Sequence, residues 1–594
     1  MRTSERVSTG TVATVVFGLL VVSTVGAFFV TQRLKRAAPV IRHIKLPRYV
    51  SPNGDGRIDR AVIKFELPKS DDRVTVSITD ANGDEVRRLA TRPLKRGRHR
   101  FVWNGRNGAG QVVPDGFYYL RVVVAGEGRG TISRRGMQIE TSRPIPKLVS
   151  AAPARIRPGG REAVTLHFTG PADPRPVFSV YRTDSGRARL VTGFTGAPGA
   201  HEAIWDGRVR GRPASPGTYS FAVTVQNKAQ VAGSSPPRLP PTARGAQPHT
   251  GVTIAGLAAA PPLEPVSAGV PARVVVTGAV GRVRWSLFAL GSRRALRRGS
   301  GQAPGVTVGV PRNTRTGVYV VRLSSRVGRA QVPLAVRSRR PARRVLVVLP
   351  AITWQGLNRV DDDADGFPDT LDESTAVSLA RAFAGGRLPA GFGSDVVPLL
   401  RFLRAAGLPY DLTTDLALAN RRGPGFAGHG GVVFAGTERW FTENLDRRLR
   451  AYVERGGRVA SFGTDAFRRT VGVTAARLTA PSPAQDTNVL GEQTRAAASA
   501  AAPLVVNPGD SLGLFSGTDG FVGLFTRFEQ SRRRVGGTHV VASAGREPDH
   551  PAFVAYRLGR GLVVRTGTPE WSAMLSSDAE VANVTKSLWS LLSR

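Results

Sequence analysis

An acidic run near the middle of the chain has the spacing of a calcium-binding loop. Its carboxylates stand at positions 1, 3, 5, 9 and 12 of a twelve-residue segment, and Gly366 stands at position 6, where such loops turn sharply. Oxygen ligands at this spacing suit Ca²⁺, so the sequence predicts a structural calcium site. A solvated, mutually repelling turn is the alternative. The predicted ligands are Asp361, Asp363, Asp365, Asp369 and Asp372.

A second set of candidate residues lies further along the chain, where carboxylates fall near the ends of predicted strands. They either gather as one carboxylate site or serve as helix caps and solvated charges. The set consists of Asp415, Glu438, Asp465 and Glu570.

Cysteine and histidine add little to this chemistry. Cysteine is absent, which excludes disulfides, thiolate nucleophiles and zinc–thiolate sites. Three histidines of the C-terminal region, His429, His539 and His550, stand next to Gly, Thr or Pro, and we expect them to be structural or solvated.

A shorter acidic segment opens the folded part of the chain. Asn53, Asp55 and Asp59 alternate with glycines and share the first part of the calcium-loop pattern, but Val62 stands where the last carboxylate would be. A shared cation and a plain β-turn rich in Asn, Asp and Gly are both compatible with this pattern.

The long acidic run lies in a region that predicts alternating strands and helices. Val345–Leu349 is a continuous apolar run, typical of a strand buried on both faces of a parallel sheet. Residues 431–435 and 458–462 predict two more strands, with a helix over 442–454 between them. This order predicts a three-layer α/β domain over residues 343–594.

The preceding part of the chain repeats itself. Turn glycines recur about every 100 residues, at Gly116, Gly217 and Gly317, each followed by a short alternating strand. The pattern predicts tandem all-β Ig-like sandwiches. We place them at residues 40–140, 141–228 and 251–338, with a Pro-rich linker at 229–250.

The N-terminus predicts a membrane anchor. The chain carries no charged residue between Arg6 and Arg33, and about 20 apolar residues suffice to cross a bilayer. Residues 1–36 are therefore interpreted as a cytoplasmic stub and a transmembrane helix, which would place a single-pass protein in the cell membrane with its bulk extracytoplasmic. A cleaved signal peptide is the alternative.

The charge is strongly positive, with a formal net charge of +41. The arginines that dominate it are spread along the chain without a basic stripe interleaved with aromatics, so we expect no specific nucleic-acid binding. The expected partners are the lipid bilayer, through the N-terminal helix, and an anionic cell-wall polymer or glycan.

Two motif sets resemble known families. Trp103-Asn-Gly-Arg and Trp205-Asp-Gly-Arg, each followed by Pro, Gly and Tyr, resemble the Ig-like domain of the flagellar hook-capping protein. The segments Thr353-Trp-Gln-Gly-Leu-Asn, Glu438-Arg-Trp and Arg455-Gly-Gly resemble the C-terminal region of the N,N-dimethylformamidase large (beta) subunit family, whose domain is similar to class I glutamine amidotransferases.

The second resemblance implies an iron site built from two tyrosines and one glutamate. Glu438 stands at the position of that glutamate, and it is the candidate catalytic residue. Leu357 replaces the tyrosine of the Thr-Trp-Gln motif, and leucine cannot bind a metal. The resemblance therefore implies an incomplete iron site, and iron or zinc at Glu438 remains an alternative to calcium alone.

Two functions follow from these observations. The first is a membrane-anchored surface protein that presents a calcium-stabilised, non-catalytic amidotransferase-like domain for ligand or cell-wall binding. The second is a metal-dependent hydrolase of a small amide, related to N,N-dimethylformamidase. Leu357 at the tyrosine position and the absence of cysteine favour the first function. The retained Thr-Trp-Gln-x-x-Asn and Glu-x-Trp motifs favour the second. The sequence leaves enzyme activity open.

Overall fold

The computed structural model describes residues 9–36, 39–339, 344–508, 510, 512–533, 538–545 and 551–594. His550 and part of the short basic hinge before residue 344 lie outside this range. The chain forms three β units and a C-terminal region built on one large sheet.

The predicted transmembrane anchor, and with it the predicted single-pass location in the cell membrane, is wrong. Helix α1 spans Thr9–Arg36, but no helix among the described residues is long and apolar enough to cross a membrane. Gly, Ser and Thr recur among the apolar residues of α1 and lower its apolar content.

The first unit packs a three-stranded sheet and a six-stranded sheet around one core. Alternation of buried and exposed side chains along β3 explains why one face of its sheet points inward. Trp103 is a large fully buried side chain of this core. The strands are β1 (Arg42–Lys45), β2 (Tyr49–Val50), β3 (Ala61–Leu67), β4 (Asp71–Thr79), β5 (Glu85–Leu94), β6 (Gly97–Trp103), β7 (Gly116–Val124), β8 (Arg129–Ile132) and β9 (Met137–Ile139).

The second unit repeats this arrangement around its own core, with Trp205 in the place of Trp103. In both units the indole N–H donates to the arginine carbonyl three residues on, at 2.9 Å. The strands are β10 (Lys147–Ala152), β11 (Arg155–Ile156), β12 (Val164–Thr169), β13 (Val177–Arg182), β14 (Arg189–Thr195), β15 (Glu202–Trp205), β16 (Arg208–Val209), β17 (Arg212–Pro213), β18 (Gly217–Gln226), β19 (Ala232–Ser235) and β20 (Gly251–Ile254).

The third unit differs because it does not have a core of its own. Its buried residues belong to one continuous hydrophobic cluster with those of the C-terminal region, which we call the shared core. The strands are β21 (Ala258–Ala260), β22 (Val266–Ser267), β23 (Ala272–Thr277), β24 (Arg282–Ala289), β25 (Ala295–Gln302), β26 (Gly305–Val308), β27 (Gly317–Ser325) and β28 (Gly328–Arg337).

The C-terminal region is organised by a nine-stranded mixed sheet in the order β31-β29-β32-β34-β44-β43-β42-β39-β40. The first five strands of this order are parallel, and the remaining four pair antiparallel. These nine strands are β29 (Val345–Leu349), β31 (Asp411–Thr414), β32 (Gly431–Phe434), β34 (Arg458–Ser461), β39 (Ala498–Val506), β40 (Phe521–Phe528), β42 (Thr538–Ala544), β43 (Pro551–Leu558) and β44 (Gly561–Arg565).

Short strands and helices connect them. The strands are β30 (Ala376–Ser378), β33 (Trp440–Phe441), β35 (Arg469–Thr470), β36 (Gly472–Val473), β37 (Arg477–Thr479), β38 (Gln493–Thr494) and β41 (Ser531–Arg533). The helices are α2 (Ala351–Gly356), α3 (Val397–Ala405), α4 (Asp415–Ala419), α5 (Glu443–Glu454), α6 (Trp571–Met574) and α7 (Ala579–Ser593).

The predicted three-layer α/β domain is also wrong. The described residues are mostly β-sheet, and among α2–α7 only α5 and α7 exceed nine residues. A doubly wound domain needs a crossover helix between successive parallel strands. Here the passage from β34 to β44 runs through antiparallel strands instead. Alternation of apolar runs with polar segments does not distinguish these two kinds of connection.

Candidate functional site

The acidic run forms a loop between α2 and β30, and it brings three of its five predicted ligands together. Carboxylate oxygens of Asp361, Asp363 and Asp369 lie within 4.8 Å of one another, a spacing that suits a single cation. Ala364 and Gly366 take positive φ values of 61° and 87°, which turn the chain back over the carboxylates. The predicted turn at Gly366 thus has a left-handed backbone, as glycine permits.

Asp361 is the most informative member of this cluster. Its side chain is buried, with a relative exposure of 6%, and its Oδ2 accepts a hydrogen bond from the Gly366 amide at 3.0 Å. Its Oδ1 is also buried and has no hydrogen-bond partner among the described residues. A buried carboxylate oxygen without a partner is costly unless a cation or a proton satisfies it.

The other two predicted ligands make different contacts. Asp365 Oδ1 accepts from the Phe367 amide at 2.7 Å. Asp372 Oδ2 accepts from the Arg439 guanidinium at 2.7 Å, which turns it toward a different partner from the cluster. Among the described residues, neither belongs to the group of three that could hold one ion.

Electrostatics in the loop follow from burial and crowding of like charges. Burial, and secondarily the neighbouring carboxylates, raise the pKa of both Asp361 and Asp365 from 3.8 to about 7. Asp361 also interacts unfavourably with Asp363 and Asp369. A divalent cation at this position would neutralise the repulsion that opposes ionisation.

Arg381 fixes the loop to the end of the first strand–helix unit. Its guanidinium is buried and donates to the carbonyls of Gln355, Val360 and Asp369 at 2.5, 3.2 and 3.0 Å. It also pairs with the Asp362 carboxylate at 3.3 Å. Sequence analysis missed Arg381, because it stands twelve residues beyond the last residue that it contacts and no local pattern marks it.

Residues of the Thr-Trp-Gln-x-x-Asn motif support the same arginine. Gln355 Nε2 donates to the Arg381 carbonyl at 3.1 Å, and Asn358 Nδ2 donates to Gln355 Oε1 at 3.2 Å. Trp354 is buried against Phe392, with ring centroids 5.7 Å apart. In this chain the motif residues therefore hold Arg381 and the segment that leads into the acidic loop.

Glu438, the candidate catalytic residue, is fully buried beside Asp415. Asp415 oxygens accept from the amides of Ile352 at 3.1 Å and Leu416 at 2.7 Å. Burial raises the pKa of Asp415 to about 7, and these two hydrogen bonds offset only part of that rise. Neither Glu438 oxygen makes a hydrogen bond of ordinary geometry with the described residues. Burial, and then the neighbouring Asp415 carboxylate, raise the pKa of Glu438 well above its usual value.

The remaining predicted carboxylates do not join this pair. Asp465 forms ion pairs with Arg439, Arg468 and Arg469. Glu570 accepts from the Thr526 amide at 2.7 Å. Only Asp415 of the predicted set therefore meets Glu438.

The residues around Glu438 do not fit the family's iron site. Leu357, at the motif tyrosine position, is partly buried in the shared core. Three tyrosines of the region make contacts elsewhere, since Tyr410 lies against Tyr319, Tyr452 donates to the His429 carbonyl at 3.1 Å, and Tyr556 lies near Glu492. Among the described residues, no group of three His, Cys, Asp or Glu side chains includes Glu438.

His429 has a structural role in the described fold. Its Nε2 lies 3.1 Å from an Asp411 oxygen, and its Nδ1 lies 2.8 Å from the Gly425 carbonyl. Both ring nitrogens are thus used within the protein. His539 lies on β42, and its side chain lies outside the described part.

The short acidic segment near the N-terminus satisfies its own oxygens. The two Asp59 oxygens accept from the Gly54 and Gly56 amides, each at 2.8 Å. Asp55 Oδ1 accepts from the Arg57 amide at 2.8 Å. All three contacts are exposed to solvent, and they form the β-turn alternative that the sequence left open.

Comparison with family models finds two matching regions. Residues 51–128 match the FlgD Ig-like domain, and residues 301–485 match the family described as N,N-dimethylformamidase beta subunit-like, C-terminal. Both sequence-based resemblances are thereby confirmed for these two families, whereas the likeness to class I glutamine amidotransferases stays a prediction. The second match begins within β25, so it takes in part of the third unit as well as the acidic loop and Glu438.

Individual relatives cover less of the chain. The basal-body rod modification protein FlgD of Salmonella typhimurium (strain LT2) is 35% identical over 109 residues, which are 18% of this chain and 47% of that protein. FlgD of Escherichia coli (strain K12) is 33% identical over 69 residues, 12% of this chain and 30% of that protein. The chain thus spans about half or less of the length of these relatives.

Solved structures share only general features with the chain. FlgD from P. aeruginosa has a TM-score of 0.13 at 21% identity, covering 17% of this chain and 74% of its own. A beta-galactosidase from Rahnella sp. R3 has a TM-score of 0.27 at 14% identity, covering 42% of this chain and 31% of its own. These low TM-scores support no functional conclusion. The family matches identify a multidomain protein that combines a FlgD Ig-like domain with a region of the N,N-dimethylformamidase beta subunit-like C-terminal family.

Proposed function

We propose that the chain is a calcium-stabilised, non-catalytic binding protein related to N,N-dimethylformamidase. The observation that carries this proposal is the acidic loop, where three carboxylates lie within 4.8 Å of one another. Asp361 Oδ1 is buried and accepts no hydrogen bond from the described residues, which independently supports a bound cation. Carboxylate oxygens in a turn of this spacing suit Ca²⁺ better than a softer metal.

The surroundings of Glu438 support a structural rather than a catalytic role. Both Glu438 and Asp415 have a relative exposure of 0%, which leaves no path for a substrate in the described conformation. Leu357 cannot supply the phenolate that the family's iron site uses. The matching region thus serves as a scaffold that carries the acidic loop and presents a surface.

A cleft between the third unit and the C-terminal region is the proposed place for a ligand. It has a volume of about 750 Å³ and is lined by apolar side chains such as Leu263 and Leu416, together with Arg273 and Arg422. Arg422 pairs with Glu264 at 3.4 Å. The mixture of apolar surface and guanidinium groups suits an anionic ligand, and the net charge of +41 favours anionic polymers or glycans generally.

The test is metal analysis of the purified chain after dialysis, with Asp363→Ala and Glu438→Ala variants beside it. Near one calcium per chain, lost in Asp363→Ala and retained in Glu438→Ala, is the expected result. Asp59→Ala is the matched control, because it removes a carboxylate from the other Asp- and Gly-rich turn. Absence of calcium from the unmodified chain at millimolar calcium would refute the proposal.

The alternative function is a metal-dependent amide hydrolase, and one observation favours it. Both Glu438 oxygens are buried without a hydrogen bond of ordinary geometry to the described residues, and they lie beside the Asp415 carboxylate. Two adjacent buried carboxylates are suited to a metal ion. Iron or zinc at near one per chain, lost in Glu438→Ala, would establish this function in place of the first. Hydrolysis of small amides by the unmodified chain, and not by the variant, would then be measured.

A further inference from the structure

The acidic loop contacts the second β unit as well as its own region. The Asp363 carbonyl accepts from the His249 amide at 3.1 Å, and the Ala364 carbonyl accepts from the Gly251 amide at 2.8 Å. The Gly366 carbonyl accepts from the Thr183 hydroxyl, which follows β13 and is buried. Three carbonyls from one short stretch of the loop thus bind the second unit.

The two backbones meet closely at this junction. A Cβ atom built on Gly251 would lie 2.1 Å from the Gly366 Cα, and one built on Gly366 would lie 2.5 Å from the Tyr219 carbonyl oxygen. Real Cβ atoms do not approach so closely, so both glycines are required by the contact. His249 lies in the segment that the sequence predicts as a Pro-rich linker, and its amide donates to the acidic loop.

The same loop therefore has two faces. Its side chains at Asp361, Asp363 and Asp369 converge on one point, while its carbonyls at 363, 364 and 366 point to the second unit. Without a cation the three carboxylates repel one another, which favours an opened loop. An opened loop cannot keep its carbonyls in register with Thr183, His249 and Gly251.

We propose that calcium in this loop locks the second β unit against the C-terminal region, so that the ion sets the relative orientation of two parts of the chain. This inference rests on the calcium site proposed above. By thermodynamic reciprocity, docking of the second unit raises the calcium affinity by the same factor by which calcium favours docking. Disrupting the junction, with every carboxylate in place, must therefore weaken calcium binding.

The junction amides give a direct measurement. Hydrogen exchange is followed by mass spectrometry on the full chain, for peptides that contain His249 and Gly251, in calcium and in a calcium chelator. We expect exchange to be about tenfold slower with calcium, within the range of ordinary coupling between two sites. Peptides from the first unit, which does not contact the loop through these bonds, should exchange equally in both conditions.

Two variants test the coupling without altering a carboxylate. Thr183→Val removes the hydroxyl that donates to Gly366, and Gly251→Ala forces the two backbones apart. Each should bind one calcium per chain with several-fold weaker affinity by calorimetry, and each should lose most of the calcium-dependent protection. Thr195→Val, at an exposed position on the edge strand β14, is the control and should behave as the unmodified chain.

The outcomes separate this inference from the function on which it rests. Loss of protection together with weaker calcium binding in Thr183→Val supports the lock, even if Gly251→Ala does not fold. Calcium binding of unchanged affinity in both variants, with equal exchange in calcium and chelator, overturns the lock and leaves the calcium site intact. No calcium binding by the unmodified chain overturns both.

Discussion

Two turns of this chain share nearly the same residues and have different environments. The turn at Asn53–Asp59 and the second half of the loop, Asp363–Asp369, share the pattern Asn/Asp-x-Asp-Gly-x-x-Asp. In the first, Asp59 and Asp55 accept hydrogen bonds from nearby amides at the surface. In the second, Asp361 is buried and one of its oxygens has no partner among the described residues. Burial, and not residue type, makes the second loop the stronger candidate for a cation site.

The source of that burial is long-range. Arg381 fixes the loop from one side, and the second unit closes over it through Gly251 and Thr183. In the first turn, the described side-chain hydrogen bonds of Asn53, Asp55 and Asp59 all stay within residues 53–59. The local sequence pattern therefore identifies the candidate ligands. Distant residues determine how deeply those carboxylates are buried, and hence how much a cation would stabilise them.

The largest expected effect is that of Arg381→Met. The substitution removes a buried guanidinium, its hydrogen bonds to three carbonyls and its ion pair with Asp362, so we expect a loss of about 3–5 kcal/mol in the free energy of unfolding. Chemical denaturation measures it. The exposed Arg387→Met is the control, and an equal effect of both would show that Arg381 does not hold the loop.

Next in size is the loss of calcium stabilisation in Asp363→Ala. Calcium at 100 times its dissociation constant should stabilise the unmodified chain by about 2.7 kcal/mol. Thermal unfolding with calcium and with chelator should differ for the unmodified chain and coincide for Asp363→Ala. Asp55→Ala, in the other turn, should keep the full difference between calcium and chelator. If Asp55→Ala lost this difference, the two turns would not differ in calcium binding.

The pH dependence gives a smaller effect with a defined sign. In the absence of calcium, Asp361 and Asp365 keep their protons in the folded chain up to about pH 7, whereas the unfolded chain loses them near 3.8. The folded state then binds more protons across this window, so the free energy of unfolding contributed by these groups falls as pH rises from about 4 to about 7.

Calcium should reverse that trend in part, because protons and calcium compete for the same oxygens. The stabilisation by calcium, measured as the difference between calcium and chelator, should grow as pH rises toward 7. Asp363→Ala should abolish this growth. A calcium effect that is constant from pH 5 to pH 8 would be inconsistent with the buried ligands proposed here.

The smallest effect is expected for Asp59→Ala in the first turn. Two exposed hydrogen bonds to Gly54 and Gly56 amides are lost, and water can replace them, so the cost should be about 1 kcal/mol or less. Calcium content should not change. A large, calcium-dependent destabilisation would instead show that the first turn also binds an ion.

The sequence was sufficient for local features. The spacing from Asp361 onward, the left-handed turn at Gly366 and the apolar strand Val345–Leu349 all depend on neighbouring residues. Both family resemblances rest on short motifs and were confirmed by the family models. These features need no information about what lies across the fold.

The errors and omissions have a common physical origin. The predicted three-layer domain failed because apolar runs do not reveal whether the next strand returns parallel through a helix or antiparallel through a hairpin. The predicted transmembrane helix rested on an uncharged stretch of about 20 residues, in which Gly, Ser and Thr interrupt the apolar residues. Arg381 and Gly251 make contacts with residues 12 to 113 positions away in the chain, and no periodic pattern records such contacts.

The shared core has a consequence for dividing this protein into pieces. Val321 and Leu323 of the third unit belong to the same apolar cluster as Val347 and Leu412 of the large sheet. A fragment that begins at residue 344 would expose that apolar face to water and would be prone to aggregate. One that begins near residue 251 would keep the cluster whole but lose Thr183. A soluble fragment and a fragment that keeps the proposed contact between Thr183 and the acidic loop therefore require different N-terminal boundaries.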